Sequence, residues 1–374
     1  MSLYAPLSVT DGRVMVTVQP VRAGRDPAVA PGRGRRGRGV GSGFGGRMTA
    51  TVMAGGTDWA GRLRAGLVER VERSFAGQRE VVDIVAICLL AGGHLLVEGP
   101  PGSGKTVLAR AVAASVAAEP GTEAWRRVQF TPDLLPAEVT GYEQPLLTGG
   151  TSGFRPGPLF AHVVVADEIN RASPRTQSAL LEAMEEGKVT VAGTTRPLPA
   201  PFLVVATQNP VDLHGTYLLP EAELDRFFAG VEVGFPARAV EVDIVAGRLT
   251  DPDLLGPPEL TAADVLEARR AFAAVIATDA LVGYAVSLAE ATRTSAALVR
   301  GVSVRATRAL VTAARARAFL DGRGHADAKD VQRMAVPVLA HRVVLSGQAE
   351  GEAATVVREL LARVPVPENV PCAG

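Results

Sequence analysis

Residues 94–106 read HLLVEGPPGSGKT, and the expected fold class follows from them. Residues 94–98 form an apolar run of strand length, and an alanine-rich segment of helical character follows over residues 107–118. The residues between them, GPPGSGKT, match the phosphate-binding pattern G-x-x-x-x-G-K-[ST] at every fixed position. A strand before the loop and a helix after it are the context that this pattern requires. The stretch therefore predicts an α/β domain that binds a nucleotide.

The loop consists of Gly99, Pro100, Pro101, Gly102, Ser103, Gly104, Lys105 and Thr106. Its glycines allow successive backbone N–H groups to surround phosphates, and the start of the following helix adds a partial positive charge. We expect Lys105 to reach the β- and γ-phosphates of ATP and the Thr106 hydroxyl to bind Mg²⁺. A simple Gly-Pro turn is the alternative. It gives no reason for Lys105, one of three lysines in a chain that otherwise uses arginine.

Four further apolar runs of strand length follow the loop and are separated by helical patterns. They occupy residues 128–130, 163–166, 202–207 and 230–235. Continuous apolar strands are typical of a parallel sheet that is covered by helices on both faces. From Leu260 the pattern is helical almost to the end of the chain. The sequence thus predicts an α/β domain with a five-stranded parallel sheet over residues 57–236, and an all-α domain over residues 237–374.

Two carboxylates, Asp167 and Glu168, directly follow the apolar run 163–166. Open α/β sheets bind ligands at the carboxyl ends of their strands, so we expect this pair to lie beside the phosphate loop. Asp167 is predicted to hold Mg²⁺, directly or through water, and Glu168 to orient and activate the attacking water. Such a pair can also be a loop or capping feature. Its position after Lys105 in the same sheet favours the catalytic interpretation.

Three polar residues farther along the chain each have a catalytic and an ordinary interpretation. Asn209, after the run 202–207, would position the attacking water or simply begin an Asn-Pro turn. Arg226 would form a surface ion pair or reach the phosphate of a neighbouring subunit. Arg305 stands in the first turn of a predicted helix, where a cation opposes the helix dipole. An anionic partner would relieve that cost, which makes Arg305 a candidate phosphate sensor, unless it is an exposed arginine that tolerates the cost.

The composition limits the classes of protein to which the chain can belong. Of its 374 residues 47% are hydrophobic, and its 39 basic and 39 acidic residues balance. This balance argues against general nucleic-acid binding. Residues 1–56 nevertheless carry eight arginines and two aspartates, a net charge of +6, which leaves −6 for the remainder. The glycine- and arginine-rich run 32–47 predicts that this arm is disordered. It is either a nucleic-acid-binding tail or an incidental extension.

The cysteines and the apolar runs bear on the compartment. Cys88 and Cys372 cannot build a disulfide framework, and no apolar run is long enough to cross a bilayer. We therefore expect a cytoplasmic protein without membrane insertion.

Taken together, these motifs resemble the MoxR family of AAA+ ATPases. The phosphate loop carries the resemblance, together with RVQFTPDLLPAEVTGYE (127–143), ADEINRASPRTQSALLEAMEEGKVTVAG (166–193) and ATQNPVDLHGTYLLPEAELDRF (206–227). The resemblance implies a P-loop AAA+ core with a helical lid, and it implies that ATP and Mg²⁺ bind there.

The same resemblance assigns roles to the three candidates above. Asn209 would be sensor 1, Arg226 an arginine finger that acts on the neighbouring subunit, and Arg305 sensor 2. Arg171, beside the two carboxylates, is a rival for the intersubunit contact. Val304 stands where the family often has proline, so the lid differs there.

The family's assembly is implied as well. Residues 140–158 resemble the helix-2 insert, and residues 189–199 resemble the hairpin that precedes sensor 1. A homo-oligomeric ring, most simply a hexamer, is implied because the finger must complete a neighbour's site. The family is similar to chaperone-like ATPases that activate client proteins, often with a von Willebrand factor A domain partner.

Three functions compete at this point. A protein-remodelling ring agrees with the full set of motifs and their spacing. A nucleic-acid motor of AAA+ type would use the basic arm, but the negative charge outside the arm argues against it. A nucleotide-binding scaffold that hydrolyses little is disfavoured because both Glu168 and Asn209 are present.

Overall fold

The computed structural model describes residues 58–144, 153–208, 217, 219–347 and 352–367, together with two strands near the N-terminus. These strands, β1 (Leu7–Thr10) and β2 (Arg13–Val16), pair antiparallel within a compact unit, Met1–Thr49. They differ from the expectation of a wholly disordered arm. The segment LSVTDGRVMV carries an Asp-Gly hairpin signal between β-forming residues, which the composition of the arm as a whole hides. The glycine- and arginine-rich run 32–47 lies outside the described residues.

A parallel sheet organises the second unit, Ala50–Gly374. Its five strands are β3 (Leu95–Glu98), β5 (Glu123–Gln129), β8 (Ala161–Asp167), β11 (Leu203–Gln208) and β12 (Ala229–Glu232). They lie in the order β12-β3-β11-β8-β5, and every neighbouring pair is parallel. The predicted sheet is therefore confirmed, and its carboxyl ends place the phosphate loop and the carboxylates at one edge.

Four short two-stranded pairs surround this sheet. They are β4 (Val116–Ala117) with β13 (Leu260–Thr261), β6 (Gly141–Gln144) with β7 (Gly153–Pro156), β9 (Lys188–Val191) with β10 (Thr194–Pro197), and β14 (Leu298–Arg300) with β15 (Val344–Leu345). The pair β9–β10 is the hairpin that the sequence predicts over residues 189–199. The pair β6–β7 lies within the segment 140–158, whose middle, residues 145–152, falls outside the described residues.

The helices cover both faces of the sheet and make up most of the C-terminal region. They are α1 (Trp59–Leu63), α2 (Arg70–Glu72), α3 (Arg79–Ala91), α4 (Lys105–Ala113), α5 (Pro136–Thr140), α6 (Pro174–Glu186), α7 (Glu221–Leu224), α8 (Arg238–Val245), α9 (Ala262–Phe272), α10 (Asp279–Thr294), α11 (Val304–Leu320), α12 (Ala328–Leu339) and α13 (Ala353–Arg363). A π-helical stretch, Arg64–Glu69, joins α1 to α2. No helix in the described part of the chain has both the length and the apolar character needed to cross a membrane.

Local sequence explains where several helices begin. Ser173 caps α6 by accepting a hydrogen bond from the Thr176 N–H, and Pro174 occupies the first helical position. A capping box between Thr261 and Asp264 starts α9.

Two expectations need correction. The helix after the phosphate loop ends at Ala113 rather than at residue 118, because Val116 and Ala117 pair with β13. The strand expected at residues 128–130 begins at Glu123. As an edge strand β5 tolerates exposed polar residues, which an apolar pattern misses. The predicted helical C-terminal region is confirmed; in its described residues the short strands are β13 and the pair β14–β15.

Two hydrophobic cores lie on opposite faces of the sheet. One contains residues of α3, α4 and the C-terminal helices α9 to α13, and the other contains residues of α6 and the segment around α5. Helix α12 and the 3-10 turn after it, Ala340–Arg342, pack beside the edge strand β12. The C-terminal region, called the lid below, is thus joined to the sheet by a continuous apolar core. The boundary between the two regions at residue 236 stays a prediction.

Candidate active site

The phosphate loop turns sharply between β3 and α4. A Cβ atom at Gly99 would lie 2.2 Å from the Val233 carbonyl oxygen, so no other residue fits there. Gly104, directly before α4, has a φ of 90°, a conformation that favours glycine. The Lys105 ammonium donates hydrogen bonds to the carbonyl oxygens of Gly99 and Pro100, both at 2.8 Å. The buried Ser103 hydroxyl has no hydrogen-bond partner among the described residues.

The surroundings of the Lys105 ammonium also act on its pKa. Partial burial lowers its pKa, and the nearby carboxylates of Asp167 and Glu168 oppose that shift. A cation that lies among hydrogen-bond acceptors and two carboxylates suits a phosphate ligand, which brings its own negative charge.

Asp167 ends β8 and is buried at the centre of a polar network. Its Oδ2 accepts hydrogen bonds from Arg127 Nε at 2.6 Å and from Thr106 Oγ1 at 3.4 Å. Its Oδ1 accepts a hydrogen bond from Thr207 Oγ1 at 3.1 Å. These donors hold the carboxylate in one orientation, directed at the start of α4.

Glu168 has an unusual backbone conformation. Its φ is 56° and its ψ is 49°, in the left-handed region that non-glycine residues rarely adopt. Its N–H donates to Thr207 Oγ1 at 3.0 Å, so one hydroxyl binds both acidic residues. Its side-chain Oε2 accepts from Gln129 Nε2 at 2.8 Å and lies 3.2 Å from Arg171 Nε. A turn out of the strand at residue 168 thus separates the directions of the two carboxylates.

A cavity of about 360 Å³ joins these groups. It is lined by Pro101, Gly102, Gly104, Lys105, Thr106, Val107, Arg127, Gln129, Asp167, Glu168 and Thr207. Its volume is of the order expected for a small-molecule site. Thr106 and Asp167 present hard oxygen atoms to it at hydrogen-bonding distance from each other, and these are the donors that Mg²⁺ prefers. The residues present therefore fit a nucleotide phosphate with Mg²⁺.

Two predicted site residues, Arg226 and Arg305, are brought together away from this cavity. They share the carboxylate of Glu185 in the last turn of α6, with Arg226 Nε 3.4 Å from Oε2 and Arg305 Nη1 3.0 Å from Oε1. Neither arginine is among the described residues that line the cavity. The third residue of this group, Asn209, lies outside the described residues.

Sequence reasoning missed four residues that hold or join the site. Arg127 and Gln129 project from β5, an edge strand that was predicted only in part. Thr207 stands at the end of β11, where a polar residue closing an apolar strand was a usable signal. Glu185 gave no signal, because its role depends on two arginines that are distant in sequence.

Comparisons with known proteins agree with this geometry. The model of the ATPase family associated with various cellular activities (AAA) matches residues 94–229, and the AAA lid domain matches residues 290–361. The YeaC protein of Bacillus subtilis is 42% identical over 304 residues, which is 80% of this chain and 93% of YeaC. The chaperone MoxR1 of Mycobacterium tuberculosis is 36% identical over 80% of this chain and 81% of its own length.

A solved structure of a candidate ATPase from Cytophaga hutchinsonii has the same fold, with a TM-score of 0.75 and 31% identity. The similarity covers 83% of this chain and 96% of that one. The chain belongs to the MoxR family of AAA+ ATPases.

Proposed function

We propose that this chain hydrolyses ATP to ADP and phosphate with Mg²⁺, within a ring of identical subunits, and uses the reaction to remodel or activate partner proteins. One observation carries the hydrolytic part of the proposal. Asp167 and Glu168, held by a shared Thr207 hydroxyl, face Lys105 and Thr106 across a single cavity. A binding scaffold without catalysis would not require the second carboxylate.

The phosphate loop is assigned the binding of ATP. The backbone N–H groups at the start of α4 and the Lys105 ammonium attract the phosphates of ATP. Thr106 and Asp167 would hold Mg²⁺, and the bound ion would neutralise part of the phosphate charge. Arg127 and Thr207 keep Asp167 oriented for that role.

Activation of the attacking water is assigned to Glu168. Its left-handed backbone conformation turns the side chain out of β8, while Asp167 stays at the end of the strand. Gln129 and Arg171 contact the same side-chain oxygen and limit the positions that the carboxylate can take. A carboxylate held in this way can orient a water and accept its proton. We assign Asn209 to the same water, as sensor 1.

Arg226 is assigned to the neighbouring subunit's ATP as the arginine finger, and Arg305 beside it is assigned as sensor 2. They lie together on Glu185, away from the cavity of their own subunit, and their side chains are 31% and 47% exposed. Such an exposed pair is suited to contact another subunit, where an arginine stabilises the charge that develops on the transferred phosphate. Arg171 contacts Glu168 of its own subunit, which favours Arg226 as the intersubunit finger.

Mixed rings test the catalytic roles that are assigned to Glu168 and Arg226. Glu168→Gln and Arg226→Ala should each bind ATP and hydrolyse it about 10²-fold or more slowly. In rings that contain both variants, some interfaces pair an intact Glu168 with an intact Arg226, and activity should return. Full activity of Arg226→Ala alone would overturn the assignment, and Arg171→Ala would then be the variant to measure. Native mass spectrometry with ATP gives the number of subunits, for which we expect six.

The proposal that the chain remodels or activates partner proteins rests on its similarity to named relatives. One relative is named a chaperone, and another, from Ancylobacter aquaticus, a gas vesicle ATPase. We therefore propose that the chain acts on a client protein. The family resemblance adds a von Willebrand factor A domain protein as a partner, and we assign both to the cytoplasm. Proteins retained by an ATP-bound Glu168→Gln ring test this directly, and retention of DNA alone would contradict it.

A further inference from the structure

Arg342 is a buried arginine that joins the lid to the segment carrying Arg226. It ends the 3-10 turn after α12, and its side chain is only 3% exposed. Its Nε donates to Asp225 Oδ1 at 2.8 Å. Its two terminal nitrogens donate to the carbonyl oxygens of Asp225 at 3.3 Å and Phe228 at 3.2 Å, and to that of Phe227. Four of its contacts therefore fall on residues 225–228, and the fifth is the Val338 carbonyl in the preceding helix α12.

The lid supplies two more contacts to the same short segment. Ser303 Oγ donates to Asp225 Oδ2 at 3.0 Å, and His341 Nε2 lies 3.2 Å from the Phe227 carbonyl oxygen. Ser303 also caps α11, the helix that carries Arg305 in its first turn. The lid thus fixes the chain on both sides of Arg226, while Arg226 itself stays partly exposed.

An arginine is required at position 342 by this geometry. Its planar guanidinium presents five donors in fixed directions, whereas a lysine ammonium presents three at a single point. Three different nitrogens of the guanidinium contact the oxygens of residues 225, 227 and 228, which the single nitrogen of an ammonium cannot do at once. Burial lowers the pKa of Arg342 to about 10, which leaves it charged at neutral pH.

We propose that Arg342 is a positioning residue for catalysis in the neighbouring subunit: it holds residues 225–228 against the lid so that Arg226 reaches the neighbour's phosphate. This inference rests on the proposed role of Arg226. It assigns no contact with ATP to Arg342, and it predicts that a defect at Arg342 appears in the pocket of the next subunit rather than in its own.

The test uses Arg342→Lys in the full chain, mixed with either of two partners. Alone it should bind ATP with unchanged affinity but show a kcat lowered by about tenfold or more. Mixed with Glu168→Gln, which carries an intact finger segment, it should regain activity. Mixed with Arg226→Ala it should not, because neither subunit then offers a functional finger.

A matched control comes from Arg323, which binds both carboxylate oxygens of Asp330 at 2.7 and 2.6 Å, entirely within the lid. Arg323→Lys should lower the thermal midpoint of unfolding to a similar extent and leave kcat unchanged. If Arg342→Lys does not assemble, Asp225→Asn, which keeps the shape of the partner side chain, should show the same pattern of recovery.

The outcomes separate the inference from the function on which it rests. Recovery of Arg342→Lys with Arg226→Ala but not with Glu168→Gln would place the defect in its own pocket and overturn the inference. Recovery with neither partner, or a kcat equal to that of the Arg323→Lys control, would overturn it as well. If Glu168→Gln and Arg226→Ala fail to complement each other, the intersubunit role of Arg226 is itself wrong.

Discussion

The Thr207 hydroxyl should be important for hydrolysis, because it forms hydrogen bonds with both acidic residues of the site. It donates to Asp167 Oδ1 at 3.1 Å and accepts from the Glu168 N–H at 3.0 Å, and the residue is 1% exposed. Thr207→Val keeps the shape and branching of the side chain and removes both hydrogen bonds. Thr207→Ser keeps the hydroxyl and is the matched control.

The expected magnitude follows from these two contacts. A hydrogen bond to a carboxylate contributes about 2 kcal/mol and a neutral one about 1 kcal/mol, so the free energy of unfolding should fall by about 3 kcal/mol. The Glu168 N–H bond also opposes the intrinsic cost of its left-handed backbone, about 1 kcal/mol or more. Without that bond the backbone of Glu168 can relax and carry the carboxylate away from the water. A loss of about 1.5 to 3 kcal/mol in positioning corresponds to a kcat that is lower by about 10- to 10²-fold.

Steady-state ATP hydrolysis and nucleotide titration of the two variants give the answer. The affinity for ATP should change little, since Lys105 and the phosphate loop are untouched and Arg127 still holds Asp167. Thr207→Ser should hydrolyse ATP nearly as fast as the unaltered chain. Equal kcat values for Thr207→Val and Thr207→Ser would refute the idea that this hydroxyl positions Glu168.

Three further predictions concern separate parts of the chain. Lys105→Ala should abolish ATP binding in a fluorescent-nucleotide titration, because no second ammonium lines the cavity among the described residues; retained micromolar binding would contradict the assignment. Deleting residues 1–52 should leave hydrolysis and the number of subunits nearly unchanged, because the cavity is built from residues between Pro101 and Thr207; a large loss of hydrolysis or of assembly would show that the arm has a role. Burial lowers the pKa of His94 from 6.5 to about 4, so the unfolded state binds a proton more readily over that interval. The stability that neutral, buried His94 contributes should therefore be complete above about pH 6.5 and smaller by about 2 kcal/mol at about pH 5. Buried His341, whose pKa is lowered to about 3, should add a loss of the same sign. Urea unfolding should show this loss in the unaltered chain and a smaller one in His94→Gln.

The central sheet could be predicted because its strands are local signals. Each of β3, β8 and β11 contains a continuous apolar run, and the phosphate loop marks where the first of these strands ends. The position of the two carboxylates at the end of β8 follows from the same reasoning, since parallel strands end at one edge of the sheet.

The remainder depends on partners that are distant in sequence. Alanine-rich residues 114–118 favour helix locally, yet Val116 and Ala117 pair with Leu260 and Thr261, and this tertiary pairing overrides propensity. Glu185 and Arg342 are ordinary charged residues in their own helices. The contact of Glu185 with Arg305 and that of Arg342 with Asp225 exist only because the lid folds back beside β12.

The backbone conformation of Glu168 has a consequence for laboratory evolution. At a φ of 56° glycine and asparagine have a lower conformational energy than glutamate. Replacing Glu168 with either residue should therefore make the protein more resistant to heat. The same replacement removes the carboxylate that is assigned to the reaction. Selection for thermal robustness alone would therefore favour inactive descendants at this one position, and a library screened in that way should be sequenced here first.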